Sequence, residues 1–263
     1  QSGGPQKDSI LANAVEAVIG ALYLDGGPEV VDAFVARSFA DSGPMGRIMP
    51  TTTELTATTV DYFESIYAQA DGDPHGIPWS DRRPSPALVN WFNAVAPALI
   101  RCGARVAVVG CGLGDDAREV IRRGYEVTAF DCSATAVRWA NRLDPDHVDC
   151  YRQADLFNPP ARWRRRFDLV VEVHNIESLT PDLRNRTVAA LADLMTPHGR
   201  LLLICRGADD PVALHDGPPW PLTENELREA TALAGLVPDG PVSAFSDDED
   251  PSVQCIRAVF ARA

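Results

Sequence analysis

From Thr51 onward the sequence predicts an α/β fold: a doubly wound, mostly parallel sheet of seven strands, with a helical appendage at its N-terminus. Three observations carry this. Helical and apolar strand stretches alternate with short connections, the mark of strand–helix–strand units. Runs such as Val106-Ala107-Val108-Val109 and Leu169-Val170-Val171 are apolar without alternation, which suits strands buried on both faces. The first of these runs ends in spaced glycines that open into a helix, Gly110-Cys111-Gly112-Leu113-Gly114.

Taken in order, the chain begins with a helical hairpin over 8–39. Ile10, Leu11, Ala14, Val15, Val18, Ile19 and Leu22 recur at helical spacing behind an N-cap at Asp8 or Ser9. Gly26-Gly27-Pro28 breaks the chain before a second periodic stretch, Val30 to Phe39. The small, polar segment Asp41–Gly46 follows as a linker, so the predicted division is 1–44 against 45–263. Roughly 40 residues cannot bury a core alone, and the hairpin must dock on something or belong to a missing partner segment. The start, Gln1-Ser2-Gly3-Gly4, is not a methionine. We therefore expect the chain to begin inside another protein's domain, with Met45 or Met49 as the natural start of the remainder.

Beyond the linker, helices are predicted at 53–69, 85–100, 115–123, 133–142, 181–195 and 223–234. Strands are predicted at Arg105–Val109, Glu126–Phe130, Val148–Arg152, Phe167–Val173, Arg200–Cys205, Val242–Phe245 and Val253–Ala261. The last two lack a long helix between them and are expected to pair antiparallel at one edge.

Composition narrows the function classes. With 263 residues the chain holds one full domain and an appendage, or two small domains, at roughly 100–200 residues per domain. No apolar run reaches the roughly 18 residues of a membrane span, and no signal peptide precedes the hairpin. Net charge is −13, which disfavours phosphate backbones as partners. The one basic cluster, Arg162-Trp163-Arg164-Arg165-Arg166, reads as a solvated helix or loop. Six cysteines show no Cys-x-x-Cys pair, as in a cytoplasmic protein whose thiols stay reduced, and no zinc or other metal site is expected.

The glycine loop points to a nucleoside-type cofactor. Glycines let the chain turn tightly and let a ligand approach the backbone. Asp131 follows 21 residues after Gly110, at the end of the second strand, where a carboxylate can accept both ribose hydroxyl protons. In Gly-x-Gly-x-x-Gly dinucleotide sites a third glycine packs beneath a pyrophosphate. Here it comes one residue early and Asp115 holds the sixth position. An acid there would repel a pyrophosphate, whereas S-adenosylmethionine carries a sulfonium and an ammonium. The methyl donor is the better match.

On these residues the segment 51–263 resembles class I S-adenosylmethionine-dependent methyltransferases, which implies a Rossmann-like sheet. The resemblance implies cofactor contacts from Gly110, Cys111, Gly112 and Gly114, from Asp131 with Cys132, and from Asp155 and Leu156 at the adenine. Glu172 and His174 then lie beside the transferring methyl, where either is a candidate catalytic group and Glu172 is equally a cofactor contact at the methionine moiety. Trp79, in Pro78-Trp79-Ser80-Asp81-Arg82-Arg83-Pro84, is similar to the N-terminal lid of thiopurine- and thiol-methyltransferase-like proteins. Trp220, in Gly217-Pro218-Pro219-Trp220-Pro221-Leu222, resembles their acceptor-pocket loop, and His215 precedes it as a further substrate contact.

The segment Asp8 to Gly27 separately resembles the last helices of a ribonuclease III domain. Glu16 matches a metal-binding glutamate of that family, but Asn13 stands where an aspartate is expected. An amide cannot supply the anionic oxygen that two-metal hydrolysis needs, so the hairpin is expected to be inactive.

The expected reaction is methyl transfer to a small-molecule acceptor. A thiol or other soft sulfur is partly ionised near neutral pH and needs no strong base. An amine or hydroxyl acceptor would need one. Base-flipping chemistry is disfavoured because Val173-His174-Asn175-Ile176-Glu177 replaces the Pro-Pro-aromatic segment that such enzymes carry after the fourth strand. The alternative outside the enzyme class is a catalytically silent S-adenosylmethionine-binding module associated with RNA processing.

Overall fold

The residues Arg105–Val109 form the central strand, β1, because a run of β-branched and small apolar side chains can be buried on both faces. The computed structural model describes residues 52–212, 218–247 and 250–263, with side chains from residue 59 onward. These fall in one unit, Thr52–Val212 with Pro218–Ala263. The other unit, Gln1–Thr51 with Ala213–Gly217, lies outside the described residues, and with it the predicted hairpin and His215.

Ahead of β1 come α1 (Thr52–Gln69), α2 (Pro86–Ala94) and α3 (Ala96–Leu99). After it the chain alternates through α4 (Asp115–Arg122), β2 (Glu126–Asp131), α5 (Ala134–Leu143), β3 (Tyr151–Gln153) and β4 (Phe167–Val173). It continues with α6 (Arg184–Leu194), β5 (Met195–Arg206), α7 (Glu224–Leu233), β6 (Leu236–Pro238), β7 (Ser243–Ser246) and β8 (Gln254–Arg262).

The strands lie in the order β3-β2-β1-β4-β5-β8, with β6 and β7 on the far edge of β8. The first five are parallel and β8 is antiparallel to β5. β6 pairs with Arg262–Phe260 and β7 with Arg257–Gln254, so the two lie end to end along one edge. The sheet is therefore seven positions wide, as predicted, with the seventh interrupted at Gly240-Pro241, where φ is +128° at the glycine and the proline has no N–H to donate. The reversal of strand order at β1 and β4 places the crevice for a ligand at their C-terminal ends.

Side chains alternate between two cores. Val106, Val108, Leu169, Val171, Leu202 and Ile204 face Leu88, Trp91, Phe92 and Val120. Ala107, Val109, Val170, Leu201 and Leu203 face Val188, Leu191, Leu194 and Leu227 on the other side. Covering both faces explains why the strand sequences do not alternate in polarity.

Several predicted boundaries shift for local reasons. The strand expected at 148–152 begins only at Tyr151, because Pro145–Cys150 forms 3-10 turns tied by Asp144. That carboxylate accepts from the Tyr151 hydroxyl at 2.8 Å and lies 2.8 Å from the His147 ring. The helix expected over 85–100 breaks at Val95, and the one over 181–195 starts as a 3-10 turn, Pro181–Leu183. The fifth strand extends back to Met195, which pairs with Phe167.

Candidate active site

The loop after β1 holds three left-handed glycines, with φ of +58° at Gly110, +51° at Gly112 and +85° at Gly114. Side chains rarely tolerate such angles, and here there is no room for one either. A Cβ on Gly110 would overlap the Asn175 side chain. One on Gly112 would come within 2.9 Å of the Tyr67 hydroxyl, and one on Gly114 within 2.8 Å of the Tyr151 ring. The buried Cys111 donates its amide to Phe130 O at 3.0 Å, stitching the loop to β2.

Asp131 closes the stitch. The Gly112 amide donates to its Oδ2 and the Ser133 amide to its Oδ1, each at 2.9 Å. Burial pushes its pKa up against the pull of these two donors. The Cys132 thiol also donates to this carboxylate, which keeps accepting capacity for a ribose hydroxyl. Cys132 beside it is half-buried, and its carbonyl accepts from Gln153 Nε2 at 3.2 Å. Asp155 folds into its own turn, with Oδ1 accepting from the Phe157 amide at 2.8 Å, which leaves the half-buried Leu156 between them.

Above the glycine loop lies α1. Its Glu64 accepts from Ser133 Oγ at 2.6 Å and the Thr135 amide at 3.1 Å, docking the helix on the N-terminus of α5. Trp79 is 44% exposed and donates its Nε1 to the Tyr67 hydroxyl at 3.0 Å. It meets Phe63 and Tyr67 edge-on, with centroids 5.7 and 5.9 Å apart. Trp79 thus reaches Gly112 through Tyr67, a pairing invisible in the sequence. Asp116, in the first turn of α4, accepts from the Ser85 amide at 2.7 Å and ties α4 to the residue that precedes α2; burial raises its pKa to about 6.

At the end of β4, Glu172 is fully buried. Its Oε1 accepts from the Asn175 and Ile176 amides at 2.7 and 3.0 Å, while Oε2 has no protein partner. Burial, reinforced by the Glu177 charge, pushes its pKa to about 7. His174 adopts φ +60° and extends the ladder by donating its amide to Ile204 O at 2.8 Å. Its Nδ1 lies 2.7 Å from Oε1 of Glu177, which is 2% exposed. Burial opposes a charged ring, but the Glu177 hydrogen bond and the Glu177 and Glu172 charges outweigh it and hold the His174 pKa above its ordinary value.

Two residues here escaped the sequence reading. Glu177 stands three residues past His174, in the 3-10 turn Ile176–Ser178 that follows it. The His-x-x-Glu spacing was the available signal. Asn175 donates Nδ2 to Val109 O and Val173 O at 3.1 and 2.9 Å, bracing the glycine loop against β4. Trp220 is joined to the same cluster: its amide donates to Glu177 O at 2.6 Å, and Arg184 Nη2 donates to its carbonyl at 2.9 Å.

A carboxyl whose folded pKa exceeds its unfolded value stabilises the fold below the unfolded pKa, and that stability is lost as pH rises through the folded one. Glu172→Gln is therefore expected to gain on wild type in Tm from about pH 4.5 to about pH 7 and to keep the gain above, as a pH series of thermal melts would read.

The strand order, the glycine loop after β1 and the acid after β2 define a class I S-adenosylmethionine-dependent methyltransferase of Rossmann-like fold, with S-adenosylmethionine as its cofactor. Residues 73–237 match the model of the family described as thiopurine S-methyltransferase (TPMT), and the chain belongs to that family. The solved structures agree on the fold. One neighbour is the Burkholderia thailandensis 1,6-didemethyltoxoflavin-N1-methyltransferase with bound 1,6-didemethyltoxoflavin and S-adenosylhomocysteine. It is 19% identical, with a TM-score of 0.63, over 84% of this chain and 95% of that one. Another was solved in work on the conversion of a disulfide bond into a thioacetal group during echinomycin biosynthesis. It is 23% identical, with a TM-score of 0.60, over 77% and 92%.

The N-terminal segment matches a different family. It is 58% identical over 40 residues to ribonuclease 3 of Magnetococcus marinus, covering 15% of this chain and 16% of that protein. The ribonuclease 3 of Leifsonia xyli subsp. xyli is 49% identical over 59 residues, 25% of its length. The chain spans about a sixth to a quarter of these curated relatives. No helix among the described residues is long and apolar enough to cross a membrane.

Proposed function

We propose that the chain transfers the methyl group of S-adenosylmethionine to a small-molecule acceptor, with a thiol or other soft sulfur as the first acceptor to test. The observation that carries the reading is the Gly112–Asp131 hydrogen bond inside a loop with no room for a Cβ at any of its three glycines. It sets a buried carboxylate against the glycine loop, the pairing a nucleoside ribose needs. Gly110, Cys111, Gly112, Gly114, Asp131 and Cys132 would hold the nucleoside and methionine portions, with Asp155 and Leu156 at the base and Trp79 above. Bound there, the cofactor supplies an electrophilic methyl on a sulfonium. The protein's part is to align the acceptor and exclude water. Trp220 and His215 belong to the proposed acceptor side.

Sulfur is supported by the family's name, and a net charge of −13 weighs against a polyanionic acceptor. A nitrogen or oxygen acceptor is favoured by a separate observation, the His174–Glu177 contact. The division into an inactive hairpin over 1–44 and a methyltransferase domain over 45–263 is part of the proposal. The ribonuclease 3 likeness keeps a silent module as the second reading.

Calorimetry with S-adenosylmethionine, followed by S-adenosylhomocysteine release from thiols, amines and phenols, tests the proposal. Binding with turnover of at least one class is expected. Binding without turnover of any would favour the silent module.

A further inference from the structure

We infer that Glu177 positions His174 as the base that takes the acceptor's proton, so that the site serves acceptors arriving protonated at nitrogen or oxygen. The inference rests on the methyltransferase reading above and, of the two acceptor classes named there, selects nitrogen or oxygen over sulfur.

The geometry is that of an oriented base. A carboxylate can only accept, so a neutral His174 facing Glu177 Oε1 at 2.7 Å must carry its proton on Nδ1. Its Nε2 is then left with a bare lone pair. Glu177 cannot turn away, because Oε1 also accepts from the Arg206 amide at 3.0 Å and its backbone carbonyl is held by Trp220. The imidazole side chain is 38% exposed, while Glu177 is 2% exposed. His174 adopts a left-handed φ of +60°, uncommon for a non-glycine residue, directly after β4. The charged groups facing the ring are Glu177 and Glu172 from its own segment, Arg206 at the end of β5 and Asp116 on α4.

The proton step balances without a further reactant. The acceptor's X–H bond breaks, its pair stays on X, and the proton goes to His174 Nε2. The pair on X forms the bond to the methyl carbon as the methyl–sulfur bond breaks, its own pair remaining on sulfur and cancelling the sulfonium charge. The imidazolium, stabilised by Glu177, then returns its proton to solvent. A thiol that is already ionised has no use for this arrangement.

The test has two arms on the full chain. In the first, imidazole nitrogen NMR, with His174 assigned by loss of its signals in His174→Gln, should show the Nδ1–H tautomer and a pKa above the ordinary one. Glu177→Gln should lower that pKa and mix the tautomers. In the second, S-adenosylhomocysteine release is followed with aryl thiols, N–H heterocycles and phenols. Wild type should methylate a heterocycle or phenol with a rate that rises as His174 loses its proton. Glu177→Gln should lower kcat by roughly 10²-fold at little change in KM and move the acid limb to lower pH, and Glu177→Asp should restore part of both. A purely structural glutamate would not move the limb. If Glu177→Gln fails to fold, the wild-type tautomer and Glu177→Asp still decide. An Nε2–H tautomer in wild type, or turnover of thiols alone, overturns the inference and leaves the proposed function standing. Release from no acceptor overturns the proposed function and this inference with it.

Discussion

Gly110→Ala should lose cofactor binding and much of its stability together. The new methyl must share space with the Asn175 side chain, at a φ of +58°. The backbone angle costs on the order of 1–3 kcal/mol and the overpacking roughly as much again. Set against a total stability of about 5–15 kcal/mol, the sum is large. Asn175 cannot simply swing aside, since its Nδ2 holds Val109 O and Val173 O. Thermal melting should show a drop of many degrees, and calorimetry no heat with S-adenosylmethionine. The double variant Gly110→Ala with Asn175→Ala makes room for the methyl, so it should be more stable than the two single losses summed. Wild-type affinity in Gly110→Ala would remove the loop from the cofactor site.

The same contact shows where the sequence stops being informative. A glycine string after an apolar strand announces a tight turn, and Gly110, Gly112 and Gly114 all proved to need positive φ. What fills the space over each glycine comes from Asn175, Tyr67 and Tyr151, which are remote in the chain and carry no local signal of it. β1, β2 and β4 were legible because burial on both faces leaves uninterrupted apolar runs. β3 was misplaced because Val148 and Cys150 look strand-like while Pro145 and the Asp144 carboxylate set a turn through them. β6 was missed because three residues at an edge, Leu236–Pro238, have no periodicity to read. Glu172 and His174 could be singled out from their place at the end of a buried strand. Glu177 could not, because an acid in a loop reads as solvated until the turn that buries it is known.

Asp131→Ala carries the second large effect, and the structure makes it a test with two readouts. Two terms oppose each other in stability. Removing a buried carboxylate relieves the desolvation that raises its pKa. It also leaves the Gly112 and Ser133 amides without their acceptor, at about 1–3 kcal/mol for each donor that stays buried. The second term involves two donors and should win, giving a modest fall in Tm. The loss in cofactor affinity should be larger. Two hydroxyl hydrogen bonds to a charged group contribute about 1.5–3 kcal/mol each, and about 1.4 kcal/mol is tenfold. The affinity should then fall by roughly 10²- to 10⁴-fold. A ligand missing one hydroxyl separates a ribose contact from a loosened loop. S-adenosylhomocysteine without its 2′-hydroxyl should bind wild type more weakly than the parent, and bind Asp131→Ala about equally well. If the hydroxyl matters equally in both proteins, Asp131 only braces the glycine loop, and the ribose is held by other groups.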